Sequence, residues 1–440
     1  MKLRHLLSIV CGGLWLIMSM PLQAALTIQI TEGVVGAMPI AVVPFDNSTL
    51  KSPLPYNLSD IITTDLGRSG RFAPMPKQDL IARPHDGNAV RFADWRMLNM
   101  ESLVVGRLRE LGGARYEVQF QLFDVFKGEQ LAGYSIAFAA DDVRRTAHRI
   151  SDLIYEKLTG QRGAFSTRIA YITAIKASDK SREYRLSIAD ADGFNEQVIL
   201  DSKQPLMSPS WSPDGEKLVY VTFESGRPEV FVQEVFSGER RRVTDFPGLN
   251  NAPVWSPDGR YLAMTLSKTG NPEVHIYNLQ TGALSQVTRH PGIDTEPNWS
   301  PDGRKLVFTS DRGGRPQLYM VNMSGANKSG QPQRLTFEGE YNSRGTFSPD
   351  GQRLAMVHGQ QGAFRIAVLE LASRNLQVLT DSRLDESPSF APNGSMIIYA
   401  TESQNRGVLA AVSVDGRVHQ RLELQQGDVR EPAWSPFITK

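Results

Sequence analysis

Only one cysteine occurs in the 440-residue chain, and it lies at Cys11 within an apolar leader. Lys2 and Arg4 make a basic start, an apolar run follows from Leu6 to Met20, and Pro21 and the small residue Ala24 close it. That order predicts a secretory signal peptide, residues 1–24, cleaved after Leu22-Gln23-Ala24. The run is shorter than the ~20 residues a spanning helix needs, so a mature chain that does not span a membrane is expected. Cys11 stands too early for a lipoprotein cleavage site. Cleavage removes the thiol, which excludes disulfides, zinc–thiolate sites, thiol redox chemistry and cysteine nucleophiles. A packed core must then hold the fold alone, and a chain of this size can supply one.

Charge of one sign is also missing. The formal net charge is +1, and loss of Lys2 and Arg4 makes it −1. No basic stripe is available to replace the counterions of a phosphate backbone, so nucleic acid is not an expected partner. Catalytic signatures are absent too: there is no G-x-S-x-G, H-E-x-x-H, Walker loop or G-x-G-x-x-G. The histidines of the mature chain, His85, His148, His275, His290, His358 and His419, are scattered. Asp190-Ala191-Asp192-Gly193 begins like a calcium loop, but Ile188 and Ile199 fall at its first and twelfth ligand positions, and a hairpin turn fits better. No catalytic residue, metal or cofactor is assigned, and a non-enzymatic protein is expected.

What is present is a repeat. Trp211-Ser212-Pro213-Asp214-Gly215 recurs at Trp255 and Trp299, then as Phe347-Ser348-Pro349-Asp350-Gly351, Phe390-Ala391-Pro392-Asn393-Gly394 and a terminal Trp434-Ser435-Pro436. The aromatic residues are 44, 44, 48, 43 and 44 positions apart. Ser-Pro-Asp-Gly is a turn, with Pro presetting φ and Gly accepting the last position. An apolar strand follows each turn, then a polar hairpin, a third strand and a fourth ending in Thr244, Thr288, Thr336 or Thr380. Four short strands per unit define a propeller blade. Pro209, Pro253, Pro297, Pro388 and Pro432 precede the aromatic by two residues, where each is expected to be the first residue of a strand. Arg168–Ile172, Tyr184–Ile188 and Gln197–Leu200 match a repeat lacking its innermost strand, and the C-terminal fragment matches an innermost strand alone. Together they complete one blade and close a six-bladed ring over residues 167–440. Closure leaves fewer open edges than a solenoid would.

Residues 25–165 follow another pattern. Ile40–Phe45, Ser102–Leu108, Tyr116–Phe126 and Leu131–Phe138 read as strands, and Leu58–Leu66, begun at Asn57 and stopped at Gly70, as a helix. Val143, Ala147, Ile150, Ile154 and Leu158 recur with helical spacing, with Asp141 as the expected cap and Gly160 as the end. A compact α/β domain with a mixed sheet and two main helices is expected. Before it, Leu26, Ile28 and Ile30 alternate with polar residues. That segment is either an edge strand of this domain or a strand that adds to a partner's sheet.

The connections from each outermost strand to the next innermost one gather on one face of a propeller. Here they carry Met207, Leu249, Asn250, Asn251, Ala252, Asp294, Thr295, Glu296, Tyr341, Asn342, Arg344, Leu384, Asp385, Glu386, Arg430 and Glu431, with Ile293 among them. Solvated turns would account for the charges. Apolar side chains set beside charges on a rigid scaffold point instead to a docking ring.

The leader, the α/β domain with Pro39-Ile40-Ala41-Val42-Val43-Pro44-Phe45 and the Trp-Ser-Pro-Asp-Gly propeller together resemble the TolB family, the periplasmic component of the Tol–Pal system of Gram-negative bacteria. The resemblance covers the whole mature chain. It implies a periplasmic, monomeric protein that binds the peptidoglycan-associated lipoprotein Pal through the face at the channel mouth, which some colicins mimic Pal to occupy. Leu249–Ala252, Asp294–Glu296 and the neighbouring loops match that face. It further implies contact with the inner-membrane protein TolA through the extreme N-terminal segment. Ala25 to Gly36 match that segment, with Ala25, Leu26, Thr27, Ile28, Gln29 and Ile30 as its strand. The implied role is in outer-membrane invagination during cell division and outer-membrane integrity. The rival reading is a secreted propeller hydrolase or a binder of cell-wall glycans or peptides.

Overall fold

The computed structural model describes residues 27–30, 36–178, 181–423 and 427–438. The leader expected at 1–24, together with Ala25 and Leu26, lies outside them.

The first domain is built on a mixed sheet in the order Phe72–Pro74, Met38–Val42, Ser102–Gly112, Arg115–Asp124, Glu129–Ala139. Met38–Val42 pairs in parallel with both of its neighbours, and the later strands form an antiparallel meander. Leu58–Arg68 (α1) starts at Asn57, whose side chain accepts from the N–H groups of Ser59 and Asp60. Phe92–Met97 (α2) is a short helix that no periodicity announced, set around the buried Trp95. Val143–Thr159 (α3) ends at Gly160 with φ +74°, as the glycine predicts. Its start differs from expectation: Asp141 lies in a 3-10 turn, the cap position is Asp142, and neither side chain caps the helix. The 3-10 turn carries the chain into α3 in place of a cap. Helices α1 and α3 cover one sheet face, with Ile62, Leu66, Ala147, Ile150 and Ile154 packed on Ile40, Val104, Phe120 and Leu122.

Six sheets make the propeller. Blade one joins Asp428–Trp434 to Arg168–Ser178, Ser181–Asp190 and Gln197–Ser202, so the C-terminal strand completes the first sheet of the ring. The innermost strands of blades two to six are Leu206–Trp211, Asn250–Trp255, Asp294–Trp299, Tyr341–Phe347 and Asp385–Phe390. Blade four is lengthened by the hairpin between Gln317–Ser324 and Asn327–Arg334, the source of the 48-residue step. The repeat aromatics bridge blades: Trp211 Nε1 donates to Ala433 O at 3.1 Å and Trp255 Nε1 to Ser210 O at 3.3 Å.

The prolines before these aromatics are not first residues of strands. Each lies inside the innermost strand, where the register slips, as between Met207 and Ser210 or Asn251 and Val254. A bulge leaves its extra residue out of the ladder, which is how proline is tolerated within a strand.

Thr27–Ile30 does not join the sheet of the α/β domain. It lies antiparallel on His419–Glu423 as a fifth, outermost strand of blade six, with Ile28 opposite Leu422 and Ile30 opposite Gln420. It is therefore not an edge strand of the α/β domain, whose sheet begins at Met38.

The two domains meet on polar groups. Arg68 of α1 donates to Ala191 O at 3.1 Å, and the Gln420 side chain donates to Arg68 O. Arg144 of α3 pairs with Asp192, and Asn393 Nδ2 donates to Arg162 O at 2.9 Å. No helix among the described residues is long and apolar enough to cross a membrane.

Candidate docking face of the propeller

The loops that enter the innermost strands converge at one mouth of the channel. Leu249, Ile293 and Leu384 are exposed there by 42–46%, and Phe337 by 69%. They occupy four successive junctions, from blades two and three round to blades five and six. Phe337 was not singled out in the sequence; its signal is its place directly after Thr336, at the exit of an outermost strand. Single exposed apolar residues are ordinary, but a ring of them around a charged opening is the composition of a docking face.

Four of the expected contact residues are turned inward. Asn250, Asp294, Asn342 and Asp385 are fully buried. Asn250 Nδ2 donates to Phe246 O at 2.6 Å and to Gly248 O at 3.3 Å. Asn342 donates to Glu338 O at 2.7 Å and engages His358 Nδ1 at 2.9 Å. Asp294 accepts from Arg312 at 2.6 Å, and Asp385 accepts from Thr380 Oγ1 at 2.5 Å. All four stand at the start of an innermost strand; Asn250, Asn342 and Asp385 bond groups of the loop before it, and Asp294 bonds Arg312 in the hairpin after the next strand. They hold the loops that carry the ring and do not themselves face solvent. Gly248 illustrates how tight these loops are: at φ +82°, a Cβ would lie 2.2 Å from Ser267 Oγ, the group that fixes Leu249 N–H at 2.7 Å.

The remaining expected residues are accessible to differing degrees. Met207, Asn251, Ala252, Thr295, Glu296, Tyr341, Arg344, Glu386 and Glu431 are half-buried, and Arg430 is exposed. Of the N-terminal set, Thr27, Ile28, Gln29 and Ile30 form the strand on blade six, away from this ring.

Below the ring, Ser208, Ala252, Glu296, Arg344, Ser387 and Glu431 all adopt φ between +48° and +56°. These are the six equivalent bulge positions, so one backbone distortion repeats around the axis. Left-handed conformations in residues other than glycine cost about 1–3 kcal/mol each and persist only where the surroundings impose them. The channel they line holds about 470 Å³. Across it, Arg344 Nε lies 3.0 Å from Glu296 and Arg344 Nη2 lies 3.8 Å from Glu431, and Arg344 Nη1 donates to Ser387 Oγ at 2.5 Å. Burial would lower the Arg344 pKa, but Glu296, Glu431 and Glu386 more than reverse this. The guanidinium thus ties its own blade five to blades four, six and one at the neck of the channel.

Asp65, His148 and Asp192 are the one trio of metal-competent side chains among the described residues. They do not converge on a point. His148 Nδ1 meets Asp65 at 2.7 Å and Nε2 faces Asp192 at 3.5 Å, and the two nitrogens of an imidazole point away from each other. Arg68 and Arg144 already neutralise the carboxylates. Asp190 to Gly193 is a hairpin turn, as the spacing predicts, with Gly193 N donating to Asp190 O at 2.7 Å.

A small α/β domain joined to a six-bladed propeller, with an apolar ring round a charged channel mouth, is the frame of an interaction module. Comparison with known proteins gives the family. Residues 26–131 match the TolB amino-terminal domain and residues 155–438 the TolB beta propeller domain. The chain is 59% identical over 422 residues to the Tol-Pal system protein TolB of Nitrosococcus oceani, covering 96% of each chain. It is 54% identical to that of Xanthomonas campestris pv. campestris, covering 95% of this chain and 94% of the other. The crystal structure of TolB from Acinetobacter baumannii superposes with a TM-score of 0.86 at 41% identity, covering 94% of this chain and all of that one. The chain belongs to the TolB family.

Proposed function

We propose that this protein is a periplasmic, non-enzymatic component of the Tol–Pal system that docks the lipoprotein Pal on the channel mouth of its propeller. The carrying observation is the ring of Leu249, Ile293, Phe337 and Leu384 around the Glu296–Arg344–Glu431 cluster. Exposed apolar side chains around a charged centre supply contact area and orientation for a partner, and the buried Asn250, Asp294, Asn342 and Asp385 keep the loops preorganised. The N-terminal strand Thr27–Ile30 is the TolA contact. Its place on an outer edge, joined through one strand-length of backbone, suits exchange onto a partner's sheet. Acting between these two partners, the protein serves outer-membrane invagination at division and envelope integrity.

Titration calorimetry with soluble Pal tests the docking face. The pair Ala252→Arg with Thr295→Arg places two cations at half-buried mouth positions and should weaken binding by 100-fold or more, about 3 kcal/mol at the scale of interface hot spots. Unchanged binding rejects the face. Removing residues 25–36 should abolish TolA binding and leave Pal binding intact.

A further inference from the structure

We infer that His148 is a proton-operated latch between the two domains. The ring is 2% exposed and bridges two carboxylates of different origin. Its Nδ1 lies 2.7 Å from Asp65 on α1, within its own domain, and its Nε2 lies 3.5 Å from Asp192 in the turn of blade one. The Nδ1–H donates to Asp65 in either charge state, whereas Asp192 is held across its 3.5 Å separation from Nε2 only by the charge of the imidazolium.

The surrounding charges make the same demand. From α1 the ring faces Asp65 and Arg68, and from α3 it faces Arg144. From the blade-one turn come Asp190 and Asp192, and Arg168 stands beside Asp190. The two carboxylates nearest the ring, Asp65 and Asp192, favour its protonated form, and Arg144 at 3.4 Å from Nε2 opposes it. Burial alone would lower the His148 pKa, but Asp65 and Asp192 outweigh it and raise the pKa above the ordinary value.

The neutral state has an arrangement of its own. Arg144 Nη2 lies 3.4 Å from His148 Nε2 and is bonded to Asp192. When Nε2 loses its proton it becomes an acceptor and competes with Asp192 for that guanidinium. One deprotonation therefore loosens two links between the domains, His148–Asp192 and Arg144–Asp192. The raised pKa fixes the sign: the latch is fully set below about pH 6.5 and released as the pH rises through the higher folded value. Arg68, bonded to Asp65, also carries Gln420 on its carbonyl, and Gln420 pairs with Ile30. Release at the joint thus reaches the edge that holds the N-terminal strand.

The test follows the imidazole nitrogens of the full mature chain by NMR from pH 5 to 9, together with the distance between one fluorophore on each domain. His148 should titrate above about 6.5, and its midpoint should fall by about one unit in Asp192→Asn. The interdomain distance should change with the wild-type midpoint and lose that transition in His148→Gln. A His148 midpoint at or below the ordinary value overturns the latch. So does a distance that follows pH identically in the wild type and His148→Gln. If His148→Gln fails to fold, the wild-type and Asp192→Asn midpoints decide, because the latch requires the distance to track the imidazole in both.

Discussion

Replacing Trp434 by alanine tests ring closure. Trp434 stands on the C-terminal strand opposite Ile169, its N–H donates to Ser389 Oγ at 2.9 Å, and its Nε1 donates to Thr167 Oγ1 at 2.8 Å. The indole packs against Ala391, Met396, Ala411 and Val418 of blade six, bridging the last blade to the first. Truncating a large core aromatic costs about 3–5 kcal/mol, and partial exposure puts this site near the lower figure. Thr167 Oγ1 keeps its bond to Ala164 O at 2.6 Å, so no buried hydroxyl is orphaned and the estimate stays at about 3 kcal/mol. For a chain of this size, 1 kcal/mol moves the melting temperature by about 2–4 °C, so Trp434→Ala should lower Tm by about 6–12 °C. Calorimetry reads it, with Trp299→Ala as the matching loss within an unbroken stretch of chain. Deleting 428–440 should go further and expose the edge of Arg168–Ser178, which then drives self-association visible by light scattering. A Trp434→Ala protein that melts within about 1 °C of wild type would refute the closure argument.

The repeat turns make further predictions. Ser256 Oγ accepts from Tyr261 N at 2.9 Å and donates to Asp258 at 2.6 Å, so Ser256→Ala should cost about 1–2 kcal/mol in urea unfolding. The hydroxyl of Ser300 and the N–H of Arg304 lower the Asp302 pKa. In Asp214, Asp258, Asp350 and Asp415, partial burial pulls upward but is outweighed by the equivalent serine and backbone bonds. Depressed carboxylates stabilise above their unfolded values near 3.9 and lose that contribution as pH falls through the folded ones. Converting all five to asparagine should therefore flatten the acid limb of a stability-versus-pH curve below about pH 4, without steepening it at neutral pH. Asn57→Ala should remove the α1 cap and cost about 1 kcal/mol by thermal melting.

The propeller was legible because each blade repeats one turn, and turn chemistry is local. Ser-Pro-Asp-Gly needs no distant residue to fix its shape, and two incomplete ends of complementary content imply closure. Misreadings arose where a distant contact decides. A proline two residues before an aromatic looks like a strand start, yet the neighbouring strand pairs on both sides of it and turns it into a bulge. Asn250, Asp294, Asn342 and Asp385 look like exposed loop polars, but each is fully buried and bonded to a neighbouring loop or hairpin that sequence alone does not bring to it. The destination of Thr27–Ile30 is set by a free edge nearly 400 residues away in sequence, and alternation alone cannot name the sheet it joins. The joint between the domains was equally hidden. His148 reads as one polar position on a helix, and only the fold brings it to Asp65 and Asp192.

The docking face is tested most directly by amide hydrogen exchange across the whole chain, with and without saturating soluble Pal. Bound Pal should slow exchange in the mouth loops around Leu249, Ile293, Phe337 and Leu384 and leave the Ser-Pro-Asp-Gly turns at the opposite end of the channel unchanged. Protection confined to those turns, or to the α/β domain alone, would contradict docking at the mouth.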